Sequence, residues 1–260
     1  MEAGPLQRIH RALADLALPR DGALIVHASF SALSRAGHTP RDFAGALASY
    51  MSLGTLLMPA MSWRSVTPQN PIFDEIATPG ITGVLSETFR TQLADVRSLH
   101  PTHSVCGLGR HARTMLEEHH LDTKPCSARS PFGKLVAAGG HVLMINVGLE
   151  CCTIIHCGEE NIAPQVYLHA KPESYVCRNR MGQEIRMRTS RHVKLERDFP
   201  QFEPMLANDG KLRRATLDGA RMMSFAAPDL ARIVEQQLHA SLYGTLSVEA
   251  RARRAGGVLR

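Results

Sequence analysis

The sequence predicts an α/β fold in a single domain, with a central mixed sheet flanked by helices and a β-rich C-terminal portion. Up to Pro164, short apolar runs bounded by turn residues alternate with segments of helical periodicity. Beyond Pro164, the pattern changes to the alternation that is typical of half-buried strands. Hydrophobic residues make up 44% of the 260 residues, which is enough for a sizeable core. We place the domain at residues 1–243 and expect the basic tail, 244–260, to fray.

The first third of the chain predicts a helix, a strand, a loop and a second helix. Apolar residues at near-helical spacing indicate an opening helix at 7–18, and the apolar run 23–26 indicates a strand. That strand leads into a loop at 27–34 that is rich in hydroxyl groups. The pair Thr39-Pro40 then predicts a helix start, because threonine caps helices and proline is favoured at their first position.

The middle of the chain predicts further strands and helices around one long loop. Residues 60–81 show little periodicity and contain several prolines, and a loop of this length in a compact domain is usually functional or disordered. The other predicted elements, in order, are a strand at 54–58, a helix from about Thr82, a polar junction at 97–104 followed by a short strand, and helices at 110–119 and 130–139.

A buried strand at 141–148 and the helix after it contain the strongest candidate for chemistry. Open α/β proteins keep reactive groups at the sheet edge where such helices begin. If Thr153 is the N-cap, His156 is the third helical residue and shares a helix face with Glu159. The helix N-terminus disfavours imidazolium and the carboxylate favours it, so the pair can hold a neutral, oriented imidazole, which suits a general base. A structural role for the pair is the alternative.

The C-terminal third predicts a β-hairpin and a last helix. Alternating residues over 166–189 surround a turn at 179–182, and Pro228 marks the first turn of a helix with an apolar face.

Composition argues against several other classes of protein. No apolar run reaches the roughly 18 residues that a membrane span needs, and we see no secretory signal. The six cysteines form no Cys-x-x-Cys pair, which predicts reduced thiols in a cytoplasmic protein. Cys151 and Cys152 are adjacent and poorly spaced for a shared ion, and His100 and His103 lie beside a proline, so we predict no metal site.

The formal net charge of +6 suggests an anionic partner. The arginines of the chain concentrate at 178–191 and 251–260. An aromatic share of 5% and the lack of a recognised motif argue against nucleic acid. We therefore expect a solvated face and a loose tail, with neither nucleic acid nor a membrane as partner, although a polyphosphorylated cofactor would suit a basic rim.

Several motifs occur in the order found in the aminoglycoside 3-N-acetyltransferase family, which the chain resembles well over residues 23–165. Later, Arg197-Asp198-Phe199 and Glu203-Pro204 fit more loosely. The earlier motifs are His27-Ala28-Ser29-Phe30-Ser31-Ala32-Leu33-Ser34, Thr55-Leu56-Leu57-Met58-Pro59, Phe73-Asp74 with Thr78-Pro79, Arg97-Ser98-Leu99-His100-Pro101 with His103-Ser104, Ser130-Pro131-Phe132-Gly133, and Thr153-Ile154-Ile155-His156-Cys157-Gly158-Glu159.

The resemblance implies a cytoplasmic acyltransferase of antibiotic resistance, with the family's own α/β fold and not the GCN5-like one. It implies acetyl-CoA as co-substrate, a small-molecule amine as acceptor, His156 as general base and Glu159 as its partner. The implied acetyl-CoA contacts are Ser29, Ser31, His100, His103 and Ser104. The residues that we expect to contact the acceptor are Trp63, Arg64, Asp74 and Glu87. The oligomeric state stays open, including a homodimer.

Arg64 puts the acceptor in doubt. Family members that modify aminoglycosides carry acidic residues directly after the tryptophan of the long loop, whereas Arg64 follows Trp63 here. A polycation needs a negatively charged cleft. The default expectation is transfer to the 3-amino group of an aminoglycoside. The alternatives are the same chemistry on another amine or amino sugar of a biosynthetic pathway, and a non-catalytic binding protein of the same fold.

Overall fold

A seven-stranded mixed sheet forms the centre of the protein, whose computed structural model describes residues 4–256. The strands are β1 (Ala23–Ala28), β2 (Thr55–Pro59), β3 (Ile72–Asp74), β4 (Val96–Arg97), β5 (Val105–Gly109), β6 (His141–Ile145), β7 (Glu173–Arg178), β8 (Glu184–Thr189), β9 (Arg213–Leu217) and β10 (Ala220–Ala226). The order in the central sheet is β4-β5-β2-β1-β6-β10-β9. β1 runs parallel to β2 and β6, and the other neighbours are antiparallel, which confirms the predicted mixed sheet.

Helices cover both faces of this sheet. They are α1 (Pro5–Asp15), α2 (Ser31–Arg35), α3 (Pro40–Tyr50), α4 (Val84–Gln92), α5 (Ala112–Leu116), α6 (Pro131–Ala137), α7 (Ile154–Ile162), α8 (Pro164–Tyr167), α9 (Phe202–Asn208), α10 (Ala227–Ala240) and α11 (Val248–Gly256). None of the described helices is long and apolar enough to cross a membrane.

The core has two layers because the central strands are buried on both faces. In β1, Ile25 packs on the side of α6, α7 and α10, while Leu24 and Val26 pack on the side of α1 and α3. β6 alternates in the same way between its two faces. Strands covered on both sides read as continuous apolar runs, which is why the sequence indicated them so clearly.

Two helix starts follow the predicted capping chemistry. The hydroxyl of Thr39 accepts the amide of Asp42 at 3.1 Å, and that of Ser130 accepts the amide of Gly133 at 3.1 Å. Each cap precedes a proline at the first helical position. Thr153 differs: its side chain makes no capping bond, although α7 still begins at Ile154 and His156 is its third residue.

The C-terminal half contains more strand than the predicted hairpin. The predicted hairpin is β7–β8, and it forms a separate sheet with β3 from the long loop. A second hairpin, β9–β10, was missed, and β10 pairs with β6 in the central sheet. Its turn residues, Asp218 and Gly219, have φ angles of 47° and 82°. An Asp-Gly pair is the preferred sequence of such a turn, so the signal was present.

The expectation of a frayed tail is wrong for the described part of that segment, residues 244–256. Thr245 and Leu246 are fully buried, and Leu246 forms a β-bridge with Arg197. α11 follows directly. The basic composition of the segment hid these few inward-facing residues. Residues 257–260 lie outside the described part, and the outer boundary of the domain stays a prediction.

Candidate active site

A cavity of about 740 Å³ opens where the parallel strands of the central sheet end. Its wall includes Ala28 at the end of β1 and Pro59 at the end of β2. The segment between β6 and α7, residue His156 of α7 and the segment 191–199 complete it. The carboxyl edge of parallel strands is the usual site of chemistry in such sheets, and the structure places the predicted histidine there.

His156 and Glu159 form a hydrogen-bonded pair in this wall. Nδ1 of His156 lies 2.7 Å from Oε2 of Glu159, whose side chain has no exposed surface. Arg197 Nε donates to the same carboxylate at 2.9 Å, and the Thr245 hydroxyl donates at 2.6 Å. Burial raises the pKa of Glu159, but the charges and hydrogen bonds of His156 and Arg197 outweigh it, so the pKa is lowered. Glu159 is therefore a carboxylate with three donors.

The second nitrogen of His156, Nε2, is left to the cavity. No group among residues 4–254 binds it or encloses it completely. The ring also lies edge-on to Phe199, at 5.3 Å between centroids. His156 is thus held by its buried side and open on its other side.

A second histidine–carboxylate pair lies against the first. The ring of His192 stacks on that of His156, with centroids 4.1 Å apart and planes at 23°. Its Nε2 lies 2.8 Å from Oε1 of Glu160, which is 1% exposed. The carboxylate of Glu160 also accepts the amide of Cys126 at 2.9 Å. Burial raises the pKa of Glu160 to about 8, and burial together with His156 lowers the pKa of His192 well below its usual value.

Of the predicted acetyl-CoA contacts, His103 lines the cavity and His100 does not. His100 is fully buried, and its Nδ1 accepts the amides of Thr102 and His103 at 3.2 Å and 3.0 Å. Its ring stacks on that of His119 at 4.4 Å. The prediction of a cofactor contact at His100 is corrected to a buried residue that holds the backbone of this junction.

Ser104 is also structural, and the two loop serines lie beside the cavity wall. The Ser104 hydroxyl donates to Ala60 O at 2.7 Å and accepts from Arg97 Nε at 3.0 Å. Ser29 and Ser31 lie 3.4 Å apart through their hydroxyls, and the amide of Ser29 donates to Ile145 O. Ala28 supplies this loop's contribution to the wall, so contacts from the serines stay a prediction.

Among the predicted acceptor contacts, Trp63 lines the cavity and Arg64 does not. Trp63 is 36% exposed, and its ring stacks loosely on that of His103, with centroids 6.4 Å apart. Arg64 is exposed, and its guanidinium lies 5.9 Å from the centre of the Trp63 ring on the outside. The placement of Arg64 in the acceptor pocket is corrected accordingly.

The two predicted acids hold loops instead of lining the cavity. Oδ1 of Asp74 accepts the amides of Ile76 and Ala77, and the bond from Ala77 contributes most to the lowered pKa of Asp74. Glu87 accepts the amide of Gly80 and forms a two-bond ion pair with Arg90. Its neighbour Ser86 faces the cavity instead. Both carboxylates are already satisfied, so neither is free for a cationic substrate.

Sequence reasoning missed the residues that complete the site from a distance. Arg197 appeared only as part of a motif, Thr245 was assigned to the tail, and His192 was not singled out. Glu160 follows Glu159 directly, but nothing in the local sequence of His192, which is 32 positions later, indicates that the two side chains meet.

One group of possible metal ligands occurs among the described residues. Ligand atoms of Cys126, Glu160 and His192 lie within 4.8 Å of one another. Both oxygens of Glu160 already accept the Cys126 amide, and one contacts His192, so hydrogen bonding accounts for the cluster. The absence of a metal site stays a prediction.

Comparison with known proteins gives consistent matches in sequence and in fold. The chain is 28% identical to aminoglycoside N(3)-acetyltransferase VII of Streptomyces paromomycinus over 176 residues, which is 60% of this chain and 61% of the relative. It is 30% identical to aminoglycoside N(3)-acetyltransferase IV of a Salmonella species over 148 residues, which is 56% of this chain and 55% of the relative. The chain thus spans about three fifths of the length of these relatives.

Solved structures show the same fold over most of the chain. The aminoglycoside acetyltransferase AAC(3)-IVa apoenzyme superposes with a TM-score of 0.77 at 22% identity, covering 95% of this chain and 93% of its own. The YokD protein of Bacillus subtilis gives 0.77 at 20% identity, with coverage of 91% and 93%. The family model described as aminoglycoside 3-N-acetyltransferase matches residues 25–239, and the chain therefore belongs to that family.

Proposed function

We propose that this protein is an acyltransferase that moves an acetyl group from acetyl-CoA to a primary amine, with His156 as general base. The observation that carries the proposal is the 2.7 Å bond between His156 Nδ1 and the buried carboxylate of Glu159, beside the cavity at the end of the parallel strands. Family membership and the names of the relatives support acetyl transfer.

The geometry around His156 supports the role of base. An alkylamine is mostly protonated near pH 7 and attacks only after it loses a proton. Glu159 fixes the proton of His156 on Nδ1, so Nε2 can accept the proton of the amine. The imidazolium that forms lies 2.7 Å from a carboxylate, which stabilises it. Arg197 and Thr245 hold that carboxylate in place, so little reorganisation is needed when the charge appears.

The cavity suits an anionic acyl donor. Arg191 and Lys194 contribute cationic side chains to its wall, and Lys194 is exposed and has no ion-pair partner among the described residues. The phosphate groups of an acyl donor bind favourably to cationic side chains of this kind. When bound, acetyl-CoA supplies the acetyl group as a thioester. His103, Arg191 and Lys194 are the side chains we assign to its binding.

The default acceptor is the 3-amino group of an aminoglycoside, as in the relatives' names. A related enzyme has been solved with a gentamicin and with apramycin. One observation favours the second candidate, a less cationic amine or amino sugar. Among the described residues that line the cavity, Glu150 is the one acid, whereas Arg191 and Lys194 are both cationic. A polycation gains little electrostatic attraction from a cavity wall with this balance of charges. The third candidate is a non-catalytic binding protein of this fold.

A coenzyme A release assay with a panel of amines separates the three candidates. Turnover with gentamicin-like compounds supports the first, turnover only with amines of lower charge supports the second, and no turnover with any amine supports the third.

His156→Ala tests the base itself. We expect kcat to fall by about 10²- to 10⁴-fold, because general bases contribute that much, while the affinity for acetyl-CoA measured by calorimetry changes little. His169→Ala is the matched control, since His169 is exposed and outside this cavity. Activity retained by His156→Ala would remove His156 from this role.

A further inference from the structure

The cavity contains a second imidazole that the mechanism above does not use. Glu159 and Glu160 are consecutive residues of α7, and each binds one of two stacked histidines. They bind opposite nitrogens: Glu159 binds Nδ1 of His156, and Glu160 binds Nε2 of His192. No group among residues 4–254 binds or fully encloses Nδ1 of His192. Both histidines line one cavity, and the nitrogens not bound by the two glutamates are Nε2 of His156 and Nδ1 of His192.

The environment of Glu160 decides which nitrogen of His192 carries the proton. Glu160 is 1% exposed, and no cationic side chain binds its carboxyl group among the described residues, since Lys124 donates to its backbone carbonyl instead. A buried carboxyl group without a counter-charge favours the protonated form. Protonated Glu160 donates to Nε2 of His192, which leaves the ring proton on Nδ1. His192 then presents a donor to the cavity.

The neutral form of His192 also suits the neighbour that it stacks on. His156 becomes cationic when it takes the amine proton. A second cation with its centroid 4.1 Å away would oppose that step. A neutral His192 ring packs against cationic His156 without this charge repulsion.

The reaction needs a donor for the oxygen that becomes negative. Attack of the amine on the thioester forms the C–N bond and places negative charge on the carbonyl oxygen, and removing a donor to such an oxygen is costly. In the nearby loop after β1, the Ser29 amide is already bound to Ile145 O. His192 lines the same cavity as His156, and its Nδ1 is not the nitrogen that Glu160 binds.

We propose that His192 is a second catalytic residue, held by Glu160 as its Nδ1–H tautomer, which donates a hydrogen bond to the thioester carbonyl oxygen during attack. The inference rests on the proposed acetyl transfer. The first amine proton goes to His156 before attack, the C–S bond breaks with its electron pair on sulfur, the second amine proton passes to that sulfur to give the free thiol, and His192 keeps its proton throughout.

Two substitutions of His192 separate a donor from a packing residue. The amide nitrogen of asparagine can replace Nδ1, whereas the longer glutamine side chain places its amide near the position of Nε2. We expect His192→Gln to lower kcat by about 10²- to 10³-fold, and His192→Asn to stay within about tenfold of the wild type. The KM for the acceptor amine and the melting temperature should be similar in both variants. The reverse ranking, or equal losses of kcat, would overturn the proposal.

The tautomer can be read without substrate or turnover. In ¹⁵N-labelled protein, the ring shifts of His192 should show Nδ1–H near pH 7 and change as Glu160 ionises near pH 8. In Glu160→Gln, the amide still donates to Nε2, so the Nδ1–H form should persist at higher pH. An Nε2–H tautomer of the wild type at pH 7 would overturn the proposal, whatever the acceptor proves to be.

The rate should follow the same titration. As pH rises through about 8, Glu160 becomes an acceptor, His192 changes tautomer, and kcat of the wild type should fall, while kcat of Glu160→Gln should not. An alkaline limb that is identical in both proteins contradicts the proposal. The other titratable or charged groups that face this pair are His156, His103, His100, Arg197, Lys124, Asp122, Cys126, Cys157 and Glu159.

Discussion

The carboxylate of Glu159 depends on partners from three separate parts of the chain. His156 comes from the same helix, Arg197 from the segment after β8, and Thr245 from the segment before α11. Because Glu159 is fully buried, its charge is tolerable only while these donors are present.

Arg197→Met should therefore lower the free energy of unfolding by about 3–5 kcal/mol, because it leaves a buried carboxylate without its arginine partner. The measurement is urea denaturation at pH 7. Arg178→Met is the matched control: Arg178 binds Glu184 at the surface with 42% of its side chain exposed, so no measurable change is expected. Equal effects of the two substitutions would show that the buried pair stabilises no more than a surface one.

The sequence predicted the local half of this site and missed the distant half. The i,i+3 spacing brought His156 and Glu159 together on one helix, and the structure places them 2.7 Å apart. Arg197, Thr245 and His192 reach the site only through the tertiary fold, which no local spacing encodes. Asp74 and Glu87 were misjudged for the related reason that their backbone and arginine partners are invisible in a single sequence.

At the level of elements, α7 and α10 approach closely at Gly158. A Cβ atom at this position would lie 2.7 Å from Cγ1 of Val234 in α10, which is closer than real side chains come. Gly158 lies in α7 between His156 and Glu159 in the sequence, so the lack of a side chain here lets this part of α7 pack closely against α10.

Gly158→Ala should destabilise the protein by about 1–3 kcal/mol through overpacking, and it should also lower kcat by displacing His156. Gly45→Ala in α3 is the control, since its Cβ meets nothing within 4 Å, and it should stabilise by about 0.5–1 kcal/mol. Adding Val234→Ala should restore part of the loss in Gly158→Ala. Thermal melts and steady-state rates measure all three variants. If Gly158→Ala changed neither stability nor kcat, α10 would have to shift at little cost to accommodate the added methyl group.

The predicted elements succeeded where one local signal decided the outcome. Thr39 and Ser130 were identifiable as caps because the capping residue and the following proline are adjacent. β10 was missed because its apolar run lacked a strong alternation, even though its Asp218-Gly219 turn carried a hairpin signal. β3 was assigned to a loop because three residues show no periodicity, and only its pairing with β7 makes it a strand.

At the scale of the whole molecule, histidines form a buried cluster beneath and around the cavity. His27, His100, His103, His119 and His192 all have lowered pKa values, principally because burial disfavours imidazolium. The pKa is lowered to about 4 for His27 and to about 3 for His119.

These histidines make the stability sensitive to acid. The unfolded chain binds their protons below about pH 6.5 while the folded chain does not, so stability is complete above that pH and falls between about 6.5 and 4. Each such group contributes about 1.4 kcal/mol per pH unit. Glu160 acts in the opposite direction, because its raised pKa makes the folded state retain a proton, but the five histidines outnumber it.

His119→Gln should therefore flatten the plot of unfolding free energy against pH between 6.5 and 4, measured by urea denaturation. His239→Gln is the control, because His239 is exposed near the end of α10 and should leave the slope unchanged. A wild-type plot that stays level over this range would contradict the account of the cluster.

The bond from Thr245 to Glu159 has a consequence for the order in which the molecule is built. The two side chains are 86 positions apart, and the later one emerges from a ribosome after the whole central sheet has been made. Until then, the buried carboxylate of Glu159 lacks the hydroxyl of Thr245 as a donor. The surroundings of Glu159 are therefore complete only after every strand of the central sheet has been synthesised.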